Sequence, residues 1–136
     1  MAAPVYLDTS AVLRAVLESG TTPEIEARLR AAPALVTSRL ALVECGRAVA
    51  RLRALGAATE AQLADASRSL EAIWSRCDVW ELDRGVCDLA QAIAPATSLR
   101  TLDALHLATF QIARGKLEGL ELLTVDERLR TAAGLA

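Results

Sequence analysis

The stretch Val5-Tyr6-Leu7-Asp8-Thr9-Ser10 constrains this chain more than any other: three apolar residues stop at a carboxylate and two hydroxyls, and a helical pattern begins at once. A short apolar run feeding straight into a helix is the start of a βα unit, so this segment is expected to be the central strand of a parallel sheet. Ligands of open α/β sheets sit beyond the carboxyl ends of the strands, which is where Asp8 falls.

The remainder alternates in the same way. Ala11, Val12, Ala15 and Val16, with Leu13 and Leu17, give a short helix stopped near Gly20. Thr22-Pro23 opens a second helix, with Thr22 as N-cap and Pro23 in the first turn, where its missing N–H costs nothing; this helix ends before Pro33. A strand at 34–37 leads to Ser38, which can cap a long helix to about Arg53 with Leu42, Cys45, Val49 and Leu52 as its buried stripe. After a break at Gly56, Thr59 and Gln62 have capping-box spacing, and a helix to about Ser75 should bury Leu63, Ala66, Leu70 and Ile73. The last two helices form a hairpin. Residues 78–82 read as a modest strand, and Val86, Leu89, Ala90 and Ile93 as a helix before Pro95. A loop is expected over 95–100, then a helix capped by Thr101 that carries Leu102, Leu105, Ala108 and Ile112 and closes at Gly115. Residues 120–125 are the last strand, and 126–133 a short helix ended by Gly134. Strands separated by helices make an α/β layered fold with a parallel sheet.

At 136 residues the chain fits a single domain spanning 1–136, able to bury roughly 70% of its unfolded surface. Aromatics are only 3%, so alanine, leucine and valine must fill the interior. No apolar run approaches the ~20 residues of a membrane span, and no basic-then-apolar leader is visible, so a cytoplasmic protein without membrane contact is expected. Cys45, Cys77 and Cys87 are odd in number and form no CxxC pair, which leaves neither a disulfide framework nor a zinc knuckle; they are expected to be buried thiols. A net charge of −2 argues against a broadly basic coat for nucleic acid, although arginine supplies all the basic residues but Lys116 and suits local contact with phosphate.

Four carboxylates hold comparable places. Asp8 follows the first strand, Asp103 lies in the first turn of its helix, Asp126 follows the last strand, and Glu44 borders the apolar stripe of its helix. Each has an ordinary explanation: Asp8 and Asp126 as helix caps, Asp103 as a charge favoured by the helix dipole, Glu44 as a partner of Arg47 or Arg51. Brought together, however, four carboxylates repel one another unless a cation compensates them. Mg²⁺ and Mn²⁺ favour oxygen ligands, and the chemistry that follows is metal-assisted hydrolysis of a phosphodiester.

Taken in order, Val5 to Ala11, the helix from Ser38 to Arg47 around Val43-Glu44, Leu102 to Ala108, and Leu123 to Leu129 resemble the four motifs of PIN-domain nucleases, and more narrowly the VapC toxins of bacterial toxin–antitoxin pairs. The resemblance covers essentially the whole chain. It implies a PIN-like three-layer fold, a central parallel sheet flanked by helices, and a Mg²⁺- or Mn²⁺-dependent endoribonuclease. Asp8, Asp103 and Asp126 would bind the metal, and Glu44 would position or deprotonate the attacking water or join the ligand set. Thr9, Ser10 and Thr124 look like hydroxyls that help hold the acids. The resemblance further implies a homodimer and a cognate VapB-like antitoxin that covers the pocket.

His106, one turn beyond Asp103, is read first as a half-buried filler, with base or ligand as the second reading. Arg14, Arg39 and Arg100 are read as surface charge before RNA contacts. A haloacid-dehalogenase-type phosphotransferase would want an acid where Ser10 stands, and a receiver domain a lysine after a late strand, whereas Lys116 precedes the last one. The remaining alternative is a non-catalytic RNA- or partner-binding module on the same fold.

Overall fold

The computed structural model describes residues 2–93 and 99–135. In chain order its elements are β1 (Val5–Leu7), α1 (Thr9–Leu17), α2 (Pro23–Ala31), β2 (Leu35–Ser38), α3 (Arg39–Ala54), α4 (Glu60–Ser75), β3 (Cys77–Trp80), α5 (Arg84–Ala92), α6 (Thr101–Lys116), β4 (Glu121–Leu123) and α7 (Glu127–Leu135). The four strands form one parallel sheet in the order β3-β2-β1-β4. As a central strand with neighbours on both sides, β1 is buried throughout, which is why its residues read as an unbroken apolar run. Register is set by Val5 opposite both Leu35 and Glu121, and Leu7 opposite Leu123. Buried Thr37 adds a side-chain tie, its hydroxyl donating to the Leu7 carbonyl at 2.8 Å.

Successive side chains of β1 point to opposite faces, and this divides the core in two. Val5 and Leu7 pack with Val12, Leu29, Cys45 and Leu63 from the helices on one side. Tyr6 packs with Leu107, Phe110 and Leu129 from α6 and α7 on the other. The result is three layers, helices on both faces of a parallel sheet. Among the described residues no helix is long and apolar enough to cross a membrane.

Local chemistry explains the helix starts. Ser38 Oγ accepts from Leu40 N at 3.0 Å at the head of α3. Thr59 and Gln62 close the expected capping box, with Gln62 N donating to Thr59 Oγ1 at 3.1 Å and Thr59 N to Gln62 Oε1 at 2.9 Å. In the resulting α4, Leu63, Ala66, Leu70 and Ile73 are buried, and α3 and α4 pack side by side as a hairpin.

Several expectations need correction. Thr22 takes the N-cap position of α2 as expected, but its hydroxyl makes no cap bond and instead accepts from Arg14 Nη1 at 3.2 Å. β3 begins one residue earlier than expected and stops at Trp80, because only 77–80 have β2 to pair with. Thr101 is the first residue of α6 and Arg100 takes the cap position. The inward face of α6 carries His106, Leu107, Phe110 and Ala113, while Leu102 is 47% exposed. α7 continues through Gly134. Of the cysteines only Cys45 is buried; Cys77 sits on the edge strand and Cys87 on α5, both partly exposed. The stop at Pro95 and most of the 95–100 loop lie outside the described residues.

Candidate active site

From β1 the sheet grows through β2 on one side and is closed by the last strand, β4, on the other. Between β1 and β4 the strand order reverses, and beyond the carboxyl ends of such a pair a crevice opens. Asp8 leaves β1 into it, and Thr124 and Asp126 leave β4 into it.

Asp8 has the extended backbone of an N-cap residue, φ −75° and ψ 148°, yet its side chain makes no cap bond. Its Oδ2 accepts from Ser10 Oγ at 2.5 Å and from Thr124 Oγ1 at 2.7 Å. Backbone donors complete both hydroxyls: Val125 N reaches Ser10 Oγ at 3.1 Å and Asp126 N reaches Thr124 Oγ1 at 3.0 Å. The turn after β4 is thereby stitched to a carboxylate that is only 5% exposed. Two O–H donors on one oxygen fix how the group points.

Glu44, on the sheet-facing side of α3, pairs with neither Arg47 nor Arg51. Its Oε1 accepts from Thr9 Oγ1 at 2.7 Å and lies 2.7 Å from His106 Nε2. Burial alone pushes the Glu44 carboxyl up; the hydrogen bonds from His106 and Thr9 outweigh it and hold the group below its ordinary value. His106 is 2% exposed, with Nδ1 at 2.9 Å from the Tyr6 hydroxyl and Nε2 at 3.9 Å from Asp8 Oδ1, so it sits between two of the acids. Burial, helped by the Asp8 and Glu44 charges, pushes the Tyr6 phenol up, and it keeps its proton.

Glu44, Asp103 and Asp126 line one pocket together with Arg100, Thr101, Leu102 and Arg128. Asp8 lies deeper, joined to Glu44 through Thr9 and His106. Asp126 also does the ordinary work of a helix start, accepting at Oδ1 from Arg128 N at 2.9 Å and Leu129 N at 3.4 Å. Asp103 accepts from Arg100 N at 3.4 Å. Helix capping and pocket lining therefore coexist in these two residues, since a cap uses few of a carboxylate's lone pairs.

Among the described residues no three His, Cys, Asp or Glu side chains stand close enough to form a ready-made ligand cluster. The donor set nevertheless fits a hard cation, because it consists of carboxylate and hydroxyl oxygens around one crevice. Among the described residues, Asp8 Oδ1 and Glu44 Oε2 accept no hydrogen bond within the usual distance. Mg²⁺ retains several waters and uses one or two protein carboxylates, which suits such an open arrangement.

Sequence reasoning missed Tyr6 and Arg128 as parts of the site. Tyr6 looked like core, which it also is. Arg128 could have been flagged by its place two residues after Asp126, but nothing in the sequence shows that it shares a pocket with Arg100. Arg14 and Arg39 are engaged elsewhere, with Glu18 at 3.0 Å and with Glu81 at 2.7 Å.

With these acids gathered at the sheet edge, the chain belongs to the PIN-domain family, whose model matches residues 5–135. Within that family it groups with the VapC proteins: it is 34% identical over 131 residues to Ribonuclease VapC46 of Mycobacterium tuberculosis, covering 96% of this chain and 91% of that protein. Among solved structures, PAE2754 from Pyrobaculum aerophilum shares the fold with a TM-score of 0.66 at 23% identity, over 97% of this chain and 81% of that one. A toxin–antitoxin complex from Klebsiella pneumoniae shares it with a TM-score of 0.59 at 22% identity, over 87% and 82%.

Proposed function

We propose that this chain is a Mg²⁺- or Mn²⁺-dependent endoribonuclease that acts as the toxin of a VapB–VapC type pair. The observation that carries the reading is that Glu44, Asp103 and Asp126, from three separate elements, line one pocket, while a hydroxyl-braced Asp8 neighbours Glu44 across His106. Membership in the VapC family, with a relative named as a ribonuclease, supplies the substrate class.

In this reading Asp8, Asp103 and Asp126 hold the metal, directly or through water. The bound ion supplies Lewis acidity and lowers the pKa of water for attack on phosphorus. Glu44, fixed at Oε1, orients the attacking water and takes its proton, which needs an ionised carboxylate in the resting site. Arg100 and Arg128 at the pocket wall offset the negative charge that a phosphodiester meets on entering an acidic crevice. A VapB-like antitoxin and a second copy of the chain are the proposed partners, both on the strength of the family, and residues 1–136 are proposed to act as one PIN domain.

The test is cleavage of structured RNAs by purified protein with Mg²⁺ or Mn²⁺, beside an Asp8→Asn variant. Cleavage by the wild type alone supports the reading; equal cleavage by both proteins overturns it. Arrest of a bacterial host on expression, relieved by a co-expressed VapB-like antitoxin, tests the toxin role separately.

A further inference from the structure

The hydrogen bonds around His106 have only one consistent arrangement for a neutral ring. An ionised carboxylate accepts and never donates, so the 2.7 Å approach of His106 Nε2 to Glu44 Oε1 requires a proton on Nε2. Neutral imidazole then has its lone pair on Nδ1, where the Tyr6 hydroxyl stands at 2.9 Å as donor. Thr9 Oγ1, 3.1 Å from Nε2, gives its own proton to the same Glu44 oxygen at 2.7 Å. Tyr6 is itself held rigidly: it is fully buried, and its ring meets His106 and Phe110 edge-on, with centroids 6.1 and 5.8 Å away.

We propose that His106 is a positioning residue of the RNA-hydrolysing site. Glu44 holds the ring as the Nε2–H tautomer, with Tyr6 donating to Nδ1 on its far side, and Nε2–H, with the Thr9 hydroxyl, anchors Glu44 Oε1 so that Oε2 is left for the attacking water. This rests on the ribonuclease reading for its purpose, but not for its geometry. A ring whose two nitrogens are both committed to protein partners is poorly placed to act as a base on substrate, and at 2% exposure it has little access to the pocket. Its effect on catalysis passes through Glu44. The arrangement follows a general pattern in which a group one step removed from the reacting atoms sets the tautomer and aim of one that touches them.

His106 is the only histidine of the chain, so long-range ¹⁵N–¹H spectra of uniformly ¹⁵N-labelled, metal-free protein report this ring alone. The expected spectrum has a protonated nitrogen coupled to both carbon-bound ring protons, which marks Nε2–H. Tyr6→Phe removes one hydroxyl from an otherwise unchanged core and is expected to keep the proton on Nε2, where Glu44 still accepts it, while moving the Nδ1 resonance that has lost its donor. A wild-type ring protonated at Nδ1 alone overturns the assignment. In RNA cleavage, His106→Leu is expected to lower kcat by about 10–100-fold with KM little changed, while His106→Gln, whose amide N–H can replace Nε2–H, recovers most of the loss. Equal losses in the two variants, with both folded by circular dichroism, overturn the positioning role. If the wild type cuts no RNA, the ribonuclease reading and the positioning role built on it fall together, whereas the tautomer stands or falls by the spectrum alone.

Discussion

Thr124 Oγ1 donates to Asp8 Oδ2 at 2.7 Å across a separation of 116 residues, joining the end of the last strand to the end of the first. The same hydroxyl accepts from Asp126 N, so one side chain sets both the aim of Asp8 and the path of the chain into α7. Thr124→Val keeps the shape and removes both bonds. RNA cleavage should fall by about 10–100-fold, and loss of the buried hydrogen bond to the Asp8 carboxylate should cost about 1–3 kcal/mol. Cleavage rates and urea unfolding of the two proteins check both figures.

Glu44 gives a pH dependence with a definite sign. Its native carboxyl is held below the ordinary 4.5, so the folded protein binds this proton less readily than the unfolded chain does. The associated stability is complete above that ordinary value and is lost as pH falls through the lower native one. Wild-type protein should therefore exceed Glu44→Gln in stability most clearly near neutral pH, and the gap should narrow as the solution is acidified from about pH 5 to about pH 3. Urea unfolding at a series of pH values measures it.

Cys45 is fully buried beside Glu44, and burial, reinforced by the Glu44 and Asp8 charges, pushes its thiol up to about 12. Little thiolate exists in the native state near neutrality, and reagent has no path to it. Alkylation of folded protein at pH 8 should leave Cys45 unmodified, with labelling appearing only as the chain is unfolded; peptide mass spectrometry reads the outcome.

The capping box of α4 separates stability from chemistry. Thr59→Ala removes the acceptor for Gln62 N and should cost about 0.5–2 kcal/mol. Because the box lies on α4, outside the acidic pocket, specific activity should be unchanged at temperatures where the variant remains folded.

The parts of this molecule most legible from sequence are those whose signal is local. Ser38 and the Thr59-Gln62 pair announce their helices because capping needs particular side chains at fixed offsets. Val5-Tyr6-Leu7 shows itself as a central strand because burial on both faces selects a continuous run free of charged residues. The four acids stand out because each follows a strand or opens or borders a helix, and three of them line one pocket. The face of α6 was harder to read, since Leu102 and Leu105 continue its apolar pattern outward while a histidine points inward. The Tyr6-His106-Glu44 chain of hydrogen bonds was invisible because it joins residues 100 and 62 positions apart, with no periodicity to mark it. Arg128 escaped notice for a similar reason, its significance coming from Arg100 and Glu44 across the pocket.

Calorimetric titration of Mn²⁺ into wild-type and Asp8→Asn protein tests most directly whether carboxylates from separate elements jointly hold a divalent ion. A single set of sites in the wild type, weakened about 10-fold or more in the folded variant, is the predicted result. Binding of equal strength in both proteins, or none in the wild type, would contradict it.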